Sequence, residues 1–248
     1  GSSGVARVDD VVDGEPDVVP PLPLDQSFLA AIRKNLVWIP EIGMGWHPAR
    51  SDGIYDDAYF EEYVRRADTD IGRARTAARI DFVNRHIGDD RLVDVGIGSG
   101  QFVEVRRSIG CETVGYDANP RGIRWLEDRG LFADVRSGCF HAAAFWDSLE
   151  HIEDPSEVVA RIRRWIFVSV PVFVDCEHVL VSKHYKPGEH VWYWTRNGLV
   201  RWFAARGFVL VAESEMEDAL GREGILTAAF LRDCVAPNVS GALMQIDA

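Results

Sequence analysis

Three groups of residues have the types and spacing to do chemistry. The first is "LVDVGIGSGQF", residues 92–102, where Asp94 precedes glycines at 96, 98 and 100. Leu92 to Val95 reads as a buried strand. A glycine turn after it brings bare backbone against a ligand. The spacing is not GxGxxG, because Gln101 stands where the third glycine would fall, and no Lys-Ser or Lys-Thr follows to make a Walker A loop. The second group is Asp117 in "TVGYDANP", 17 residues after Gly100 and at the end of another strand-like run. A carboxylate there can accept hydrogen bonds from both hydroxyls of a ribose. Turn and acid together predict a nucleoside lying across two strand ends. An acid at 94, just before the turn, suits a cationic amino-acid tail rather than a pyrophosphate.

The third group is His184, Tyr185, Glu189, His190, Trp192, Tyr193 and Trp194. It reads either as a substrate wall, with His190 a candidate general base, or as a packed, hydrogen-bonded insert. His184, Glu189 and His190 match no recognised metal spacing, and no metal is expected. Tyr55, Tyr59 and Tyr63 are spaced by four and share one helical face. That face either caps a ligand cleft or packs on a sheet. The arginines at 73, 75 and 79 read as a solvated helix face.

The elements that must position these residues alternate. Strand-like segments are 91–95, 112–117, 131–135, 142–147, 164–170, 207–213 and 225–232; helical ones are about 100–109, 120–129, 155–163 and 196–206. Alternation predicts an α/β fold with a mainly parallel sheet covered on both faces. "ESEMEDALGREG" joins the last two strands without a crossover helix, so the last strand should be antiparallel. Upstream, prolines at 16, 20, 21 and 23 predict an extended arm over 5–25. "QSFLAAIRKNLVWI" has helical spacing with Ser27 as N-cap, and "PEIGMGWHPARSDG" reads as loop. "DDAYFEEYVRRA" and "IGRARTAARIDFVNRHI" are two amphipathic helices divided near Thr69-Asp70.

Composition sets bounds. The chain has 248 residues, is 47% hydrophobic and carries a net charge of −12. A core of ordinary size forms without disulfides. The acidic balance argues against non-specific binding to nucleic acid or anionic membrane, though not against a local basic groove. Cysteines at 111, 139, 176 and 234 contain no CxxC pair and read as reduced thiols of a cytoplasmic protein. No apolar run approaches the ~20 residues of a bilayer span, and no signal peptide is visible. Gly1 to Gly4 reads as a cloning remnant.

"LVDVGIGSGQF", "VGYDANP" and "AAAFWDSLEHIEDP", in this order and spacing, resemble the class I S-adenosylmethionine-dependent methyltransferases over residues 80–232. The likeness is to the methyltransferase-23-like branch that includes ubiquinone-biosynthesis-type enzymes. It implies a Rossmann-like, seven-stranded, mostly parallel sheet with helices on both faces and an antiparallel last strand, here with an N-terminal helical extension. The divisions expected are an arm at 1–25, a helical and loop cap at 26–86, the S-adenosylmethionine-binding domain at 87–233 and a tail at 234–248. The implied cofactor is S-adenosyl-L-methionine, leaving as S-adenosyl-L-homocysteine. Asp94 with the backbone of Gly96 and Gly98 would hold the methionine moiety, and Gly100 would complete the turn. Asp117 would hold the ribose, Ala118 and Asn119 the adenine side, and Asp134 the adenine amine. Asp147 would sit between cofactor and substrate, or else cap a helix starting near Leu149. His151 would act as general base, or simply bond a backbone carbonyl.

The implied reaction is in-line displacement of the methyl group, driven mostly by alignment. A small-molecule acceptor suits the acidic chain and its aromatic insert. A nucleic-acid base would instead need a basic rim gathered from Arg65, Arg66, Arg73, Arg75 and Arg79. The Asn/Asp-Pro-Pro-aromatic tetrad of many amino-directed DNA enzymes is replaced here by "DSLE". A third reading is a non-catalytic cofactor-binding module.

Overall fold

The computed structural model describes residues 36–48 and 55–233. The arm at 5–25, most of the helix read over 26–39, and the tail at 234–248 lie outside the described residues. Among the described residues, no helix is long and apolar enough to cross a membrane.

Two short strands come first, β1 (Val37–Ile39) and β2 (Met44–Trp46). Both correct the sequence reading, which put helix and loop there. The reason is tertiary: β2 pairs antiparallel with β1 on one side and with β7 (Trp192–Thr195) on the other. Helices α1 (Asp57–Ala67) and α2 (Asp70–Ile87) follow, split where expected, because Thr69 caps α2 by accepting from the Gly72 amide. The central alternation is β3 (Leu92–Val95), α3 (Gln101–Ser108), β4 (Thr113–Tyr116), α4 (Pro120–Glu127), β5 (Phe140–Trp146), α5 (Pro155–Ala160) and β6 (Ile162–Phe173). Then come α6 (Cys176–Val181), β7, α7 (Arg196–Ala204), β8 (Phe208–Ser214), α8 (Met216–Ala219) and β9 (Ile225–Arg232).

β3 pairs in parallel with β4 and β5, and β5 with β6. β9 is antiparallel to both β6 and β8. The segment expected as a strand at 131–135 shrinks to one parallel bridge, Gly115 to Phe132. It stops because the Asp134 carbonyl accepts from the amides of Ser137 and Gly138 and turns the chain.

Successive residues of the central strands serve opposite faces. Val93, Ala143, Phe145, Ile166, Val168, Ala228 and Phe230 join α5 and α7 in one core, whereas Leu92, Ala142, Ala144, Phe167 and Ala229 join α2 and Phe102 in another. A strand covered on both faces must be apolar at every position, which is why these runs read as continuous rather than alternating.

Four charges, two buried and two half-buried, lock the upper end of this sheet. Arg79 of α2 donates to Glu217 at 2.9 Å and to Asp147 at 2.7 Å. Arg222 grips both oxygens of Asp147 at 2.8 Å and bonds Glu217 at 2.8 Å. Glu217 is fully buried and also accepts from Ser169 of β6. Arg79 is therefore no solvated face residue. Asp147 does not cap a helix either: the 3₁₀ turn Leu149–His151 is entered from Ser148 without a side-chain cap.

The glycine turn is held equally firmly. Gly96, Gly98 and Gly100 all have positive φ, and a Cβ on Gly100 would lie 2.6 Å from the Trp125 ring. Gly100→Ala combines left-handed strain with that overlap, and is expected to cost about 2–4 kcal/mol in urea unfolding. Glu217→Ala leaves the two guanidinium groups sharing the single carboxylate of Asp147 and should cost about 3–5 kcal/mol. The charge-balanced double change Arg79→Met with Glu217→Met keeps the Asp147–Arg222 pair and should recover most of that loss in the same unfolding experiment. A Glu217→Ala loss under 1 kcal/mol would show that the four charges do not act as a unit.

Candidate functional site

Above the carboxyl ends of β3, β4 and β5 opens a cleft of about 380 Å³. Parallel strands end together there, so loops of distant sequence converge on one hollow. The first wall is the glycine turn, with Asp94, Gly96, Gly98 and Ser99 lining it. Asp94 is 1% exposed, and its Oδ1 has no hydrogen-bond partner among the described residues. Burial pushes its pKa well up, with Arg79 opposing and Asp117 adding.

Asp117 and Ala118 form the second wall. Burial raises Asp117 to about 6, against the backbone amides of Asn119, Gly98, Ile97 and Ala118 that stabilise its charge. Three of the predicted cofactor residues are absent from the cleft wall. Gly100 faces Trp125. Asn119 caps α4 through the Arg121 amide and donates to the Asp56 carbonyl at 3.0 Å. Asp134 accepts from the Arg136 amide within its own turn, and it is Val135 and Arg136 that line the cleft.

The third wall is α1. Tyr59 and Tyr63 of this helix line the cleft, and so does Tyr55, two residues before its start. Tyr59 donates to the Tyr63 hydroxyl at 3.1 Å, and the two rings lie 4.8 Å apart. Burial raises the pKa of both phenols, which keeps them protonated donors. The helix is tied down at each end, by Asn119 to Asp56 at its start and by Gln101 to the Ala67 carbonyl at its finish.

Asp147, Glu150, His151, His184, Lys186, Glu189 and His190 close the remaining side. The insert after β6 divides between both readings: its first half lines the cleft, while Tyr193 and Trp194 are fully buried in β7. Burial alone would raise the Asp147 pKa, but the two guanidinium groups outweigh it and hold the carboxyl well below the usual range. A carboxylate so placed takes up no proton near neutrality. Burial lowers His151 to about 4, with Glu189 opposing, and lowers His190 to about 2, with His151 adding. Both imidazoles are thus neutral, with rings 4.6 Å apart. The Tyr55 hydroxyl lies 3.1 Å from His151 Nδ1.

Sequence reasoning missed three cleft residues, Glu150, Arg75 and Arg222, and the buried Glu217 behind them. Glu150 stood unassigned beside His151, Arg75 was read as solvated, and Arg222 and Glu217 lay in a connector with no motif to mark them. Only Glu150 carried a signal, its adjacency to His151 in "SLEH".

No curated protein matches the sequence. Among solved structures, the chain is similar to the magnesium protoporphyrin IX methyltransferase of Synechocystis PCC 6803 with bound S-adenosylhomocysteine. The identity is 12% and the TM-score 0.54, over 72% of this chain and 96% of that one. The same enzyme with bound S-adenosylmethionine gives 11% and 0.52, over 72% and 93%. A chain from a complex of the Haloferax volcanii Trm112 methyltransferase activator with a methyltransferase gives 13% and 0.54, over 73% and 98%. At such identities these likenesses speak for the fold, a Rossmann-like sheet. The family described as methyltransferase domain matches residues 62–213. That is more than half of the 248 residues, and the chain belongs to this methyltransferase-domain family.

Proposed function

We propose that the protein transfers a methyl group from S-adenosyl-L-methionine to a small-molecule acceptor. One observation carries the reading: a fully buried carboxylate oxygen on Asp94, lacking a partner, opens beside a glycine turn and within reach of a second strand-end acid. A buried acceptor left unpaired is costly unless a donor arrives with a ligand. The α-ammonium of the cofactor is such a donor, and the bare turn leaves room for its methionine part.

Arg75 suits the cofactor carboxylate. It is half-buried, lines the cleft and has no acidic partner among the described residues. Burial, then the neighbouring Arg79 and Arg222, lower its pKa, an environment that an incoming anion relieves. Asp117 would accept from the ribose hydroxyls, beside Ala118. The bound cofactor supplies a methyl group already activated on a sulfonium. The chain's own task is then to align the acceptor and exclude water, which the strapped tyrosine helix over the turn is built to do. Asp147 is a positioning residue in this reading, because its charge is committed to Arg79 and Arg222.

The surface favours a small acceptor over nucleic acid. Arg65 and Arg66 pair with Glu62, Arg73 with Asp68 and Asp70, and Arg79 with buried Glu217, so of the five arginines a basic rim would need only Arg75 has no acidic partner among the described residues, and it lines the cleft.

Calorimetric titration with S-adenosyl-L-methionine tests the reading. Micromolar binding is expected, on the order of −8 kcal/mol. Asp117→Ala and Arg75→Gln should each weaken it about 10- to 100-fold, the worth of a hydrogen bond to a charged group. An absence of heat and of thermal shift in the wild type would remove the proposal.

The pH dependence has a definite sign. Asp117 is raised to about 6, so its ionised, accepting form dominates above that pH. Folding stability contributed by the protonated form is lost as pH rises from the ordinary carboxylate range through about 6. Cofactor affinity runs the other way and should fall by up to about tenfold per unit as pH drops below 6. A profile flat down to pH 5 would mean that Asp117 does not hold the ligand.

A further inference from the structure

We infer that Glu150, His151 and His190 form a binding site for one divalent transition-metal ion, opening into the cleft beside the methyl-donor pocket. One ligand atom from each of the three lies within 4.8 Å of the others. Small side-chain rotations bring such a set onto a common ion. Two imidazoles and one carboxylate suit Zn²⁺, Co²⁺, Fe²⁺ or Mn²⁺ rather than Mg²⁺ or Ca²⁺, which prefer all-oxygen sites. No spacing rule finds this trio, because His190 stands 39 residues after His151 and reaches it only through the insert before β7.

Two independent observations point to a ligand. Glu150 is 1% exposed, and its Oε2 has no hydrogen-bond partner among the described residues. His190 is 4% exposed, and its Nδ1 is equally without one. A buried carboxylate and a buried imidazole nitrogen, both unpaired and side by side, are two costs that a single cation removes. Tyr55 at His151 Nδ1 supplies the outer contact that orients a ligating ring.

The site would serve the proposed reaction, and this consequence, though not the binding itself, rests on the methyl-transfer reading. Asp147 is bonded to two guanidinium groups, and the two histidines would be occupied by the ion, so none of the three is free to take the acceptor's proton. An acceptor hydroxyl bound to the ion loses its proton to water more readily. Its oxygen lone pair then forms the new C–O bond to the methyl carbon. The S–C bond breaks with its electron pair going to sulfur, which leaves a neutral thioether. The balance is one acceptor alcohol and one sulfonium in, one methyl ether, one thioether and one proton out.

The test is titration of chelator-treated full-length protein with Co²⁺, followed by calorimetry and by visible d–d absorption. One equivalent should bind and raise the unfolding temperature. Glu150→Gln, which keeps the shape, and His190→Ala should each weaken binding at least ~10-fold, the loss typical of disturbing even an outer partner. Glu150→Gln should still bind S-adenosyl-L-methionine, and Co²⁺ should no longer shift its melting. Absence of stoichiometric Co²⁺ binding, or variants that bind like the wild type, would overturn the site. The second result would leave Glu150 as a partner for an acceptor ammonium. Co²⁺ binding without S-adenosyl-L-methionine binding would keep the metal site and remove the methyl-transfer reading.

Discussion

The upper end of the molecule is organised by the closed square of Arg79, Asp147, Arg222 and Glu217. Charges removed from water, as Arg79 and Glu217 are here, are tolerable only when each is paired and hydrogen-bonded. Here every guanidinium meets two carboxylates, and Ser169, itself bonded to Thr227, donates to Glu217. The square ties α2, the end of β5, α8 and the connector before β9 to one point. It also holds Asp147 at φ 55, a left-handed conformation that few non-glycine residues adopt. Ser148, next in the chain, is thereby placed to bond the Val95 carbonyl and to pack against the bare face of Gly96. The glycine turn thus takes its shape partly from an ion-pair cluster that it does not contain.

A contrast in electrostatics follows. The four charges of the square cancel, so they frame the cleft without driving ligand chemistry. Asp94 and Glu150 differ in kind: both are buried acids whose pKa is raised chiefly by burial, and each has one oxygen without a partner among the described residues. A fold holds such groups at a cost that only a ligand offsets. Asp94 lies under the glycine turn and Glu150 under the His151–His190 pair, so the two acids mark two separate halves of one hollow. Between them stand tyrosines and neutral imidazoles, which donate or accept hydrogen bonds without adding charge.

Much of the central fold was legible because it is written in local pattern. Continuous apolar runs marked β3 through β6, and Thr69 marked the break between α1 and α2. The failures have physical causes. Val37–Ile39 belonged to a helical pattern by spacing, but it became a strand because β2, held on its other side by β7, offered it an edge. The run at 131–135 had strand composition, yet the Asp134 carbonyl captured two amides and ended it after one bridge. Around the site, the same divide appears. Asp94 and Asp117, singled out in the sequence, do line the cleft, because each sits at a strand end beside a turn whose conformation the chain itself dictates. Asn119 and Asp134 were assigned from motif position, and the structure spends Asp134 on its own turn and Asn119 on the Arg121 amide and the distant Asp56 carbonyl.

What the sequence determined by itself was the α/β alternation, the glycine turn and the two strand-end acids, all features of short range. Backbone sterics and hydrophobic periodicity act within a few residues, so they can be read without knowing the rest of the chain. Tertiary structure alone decided the pairing of Arg79 with Glu217 across 138 residues, of Asp147 with Arg222 across 75, and of Glu150 with His190. Strand order and connector path set those distances. A charge on a helix face looks solvated in the sequence until the sheet end that neutralises it is in place.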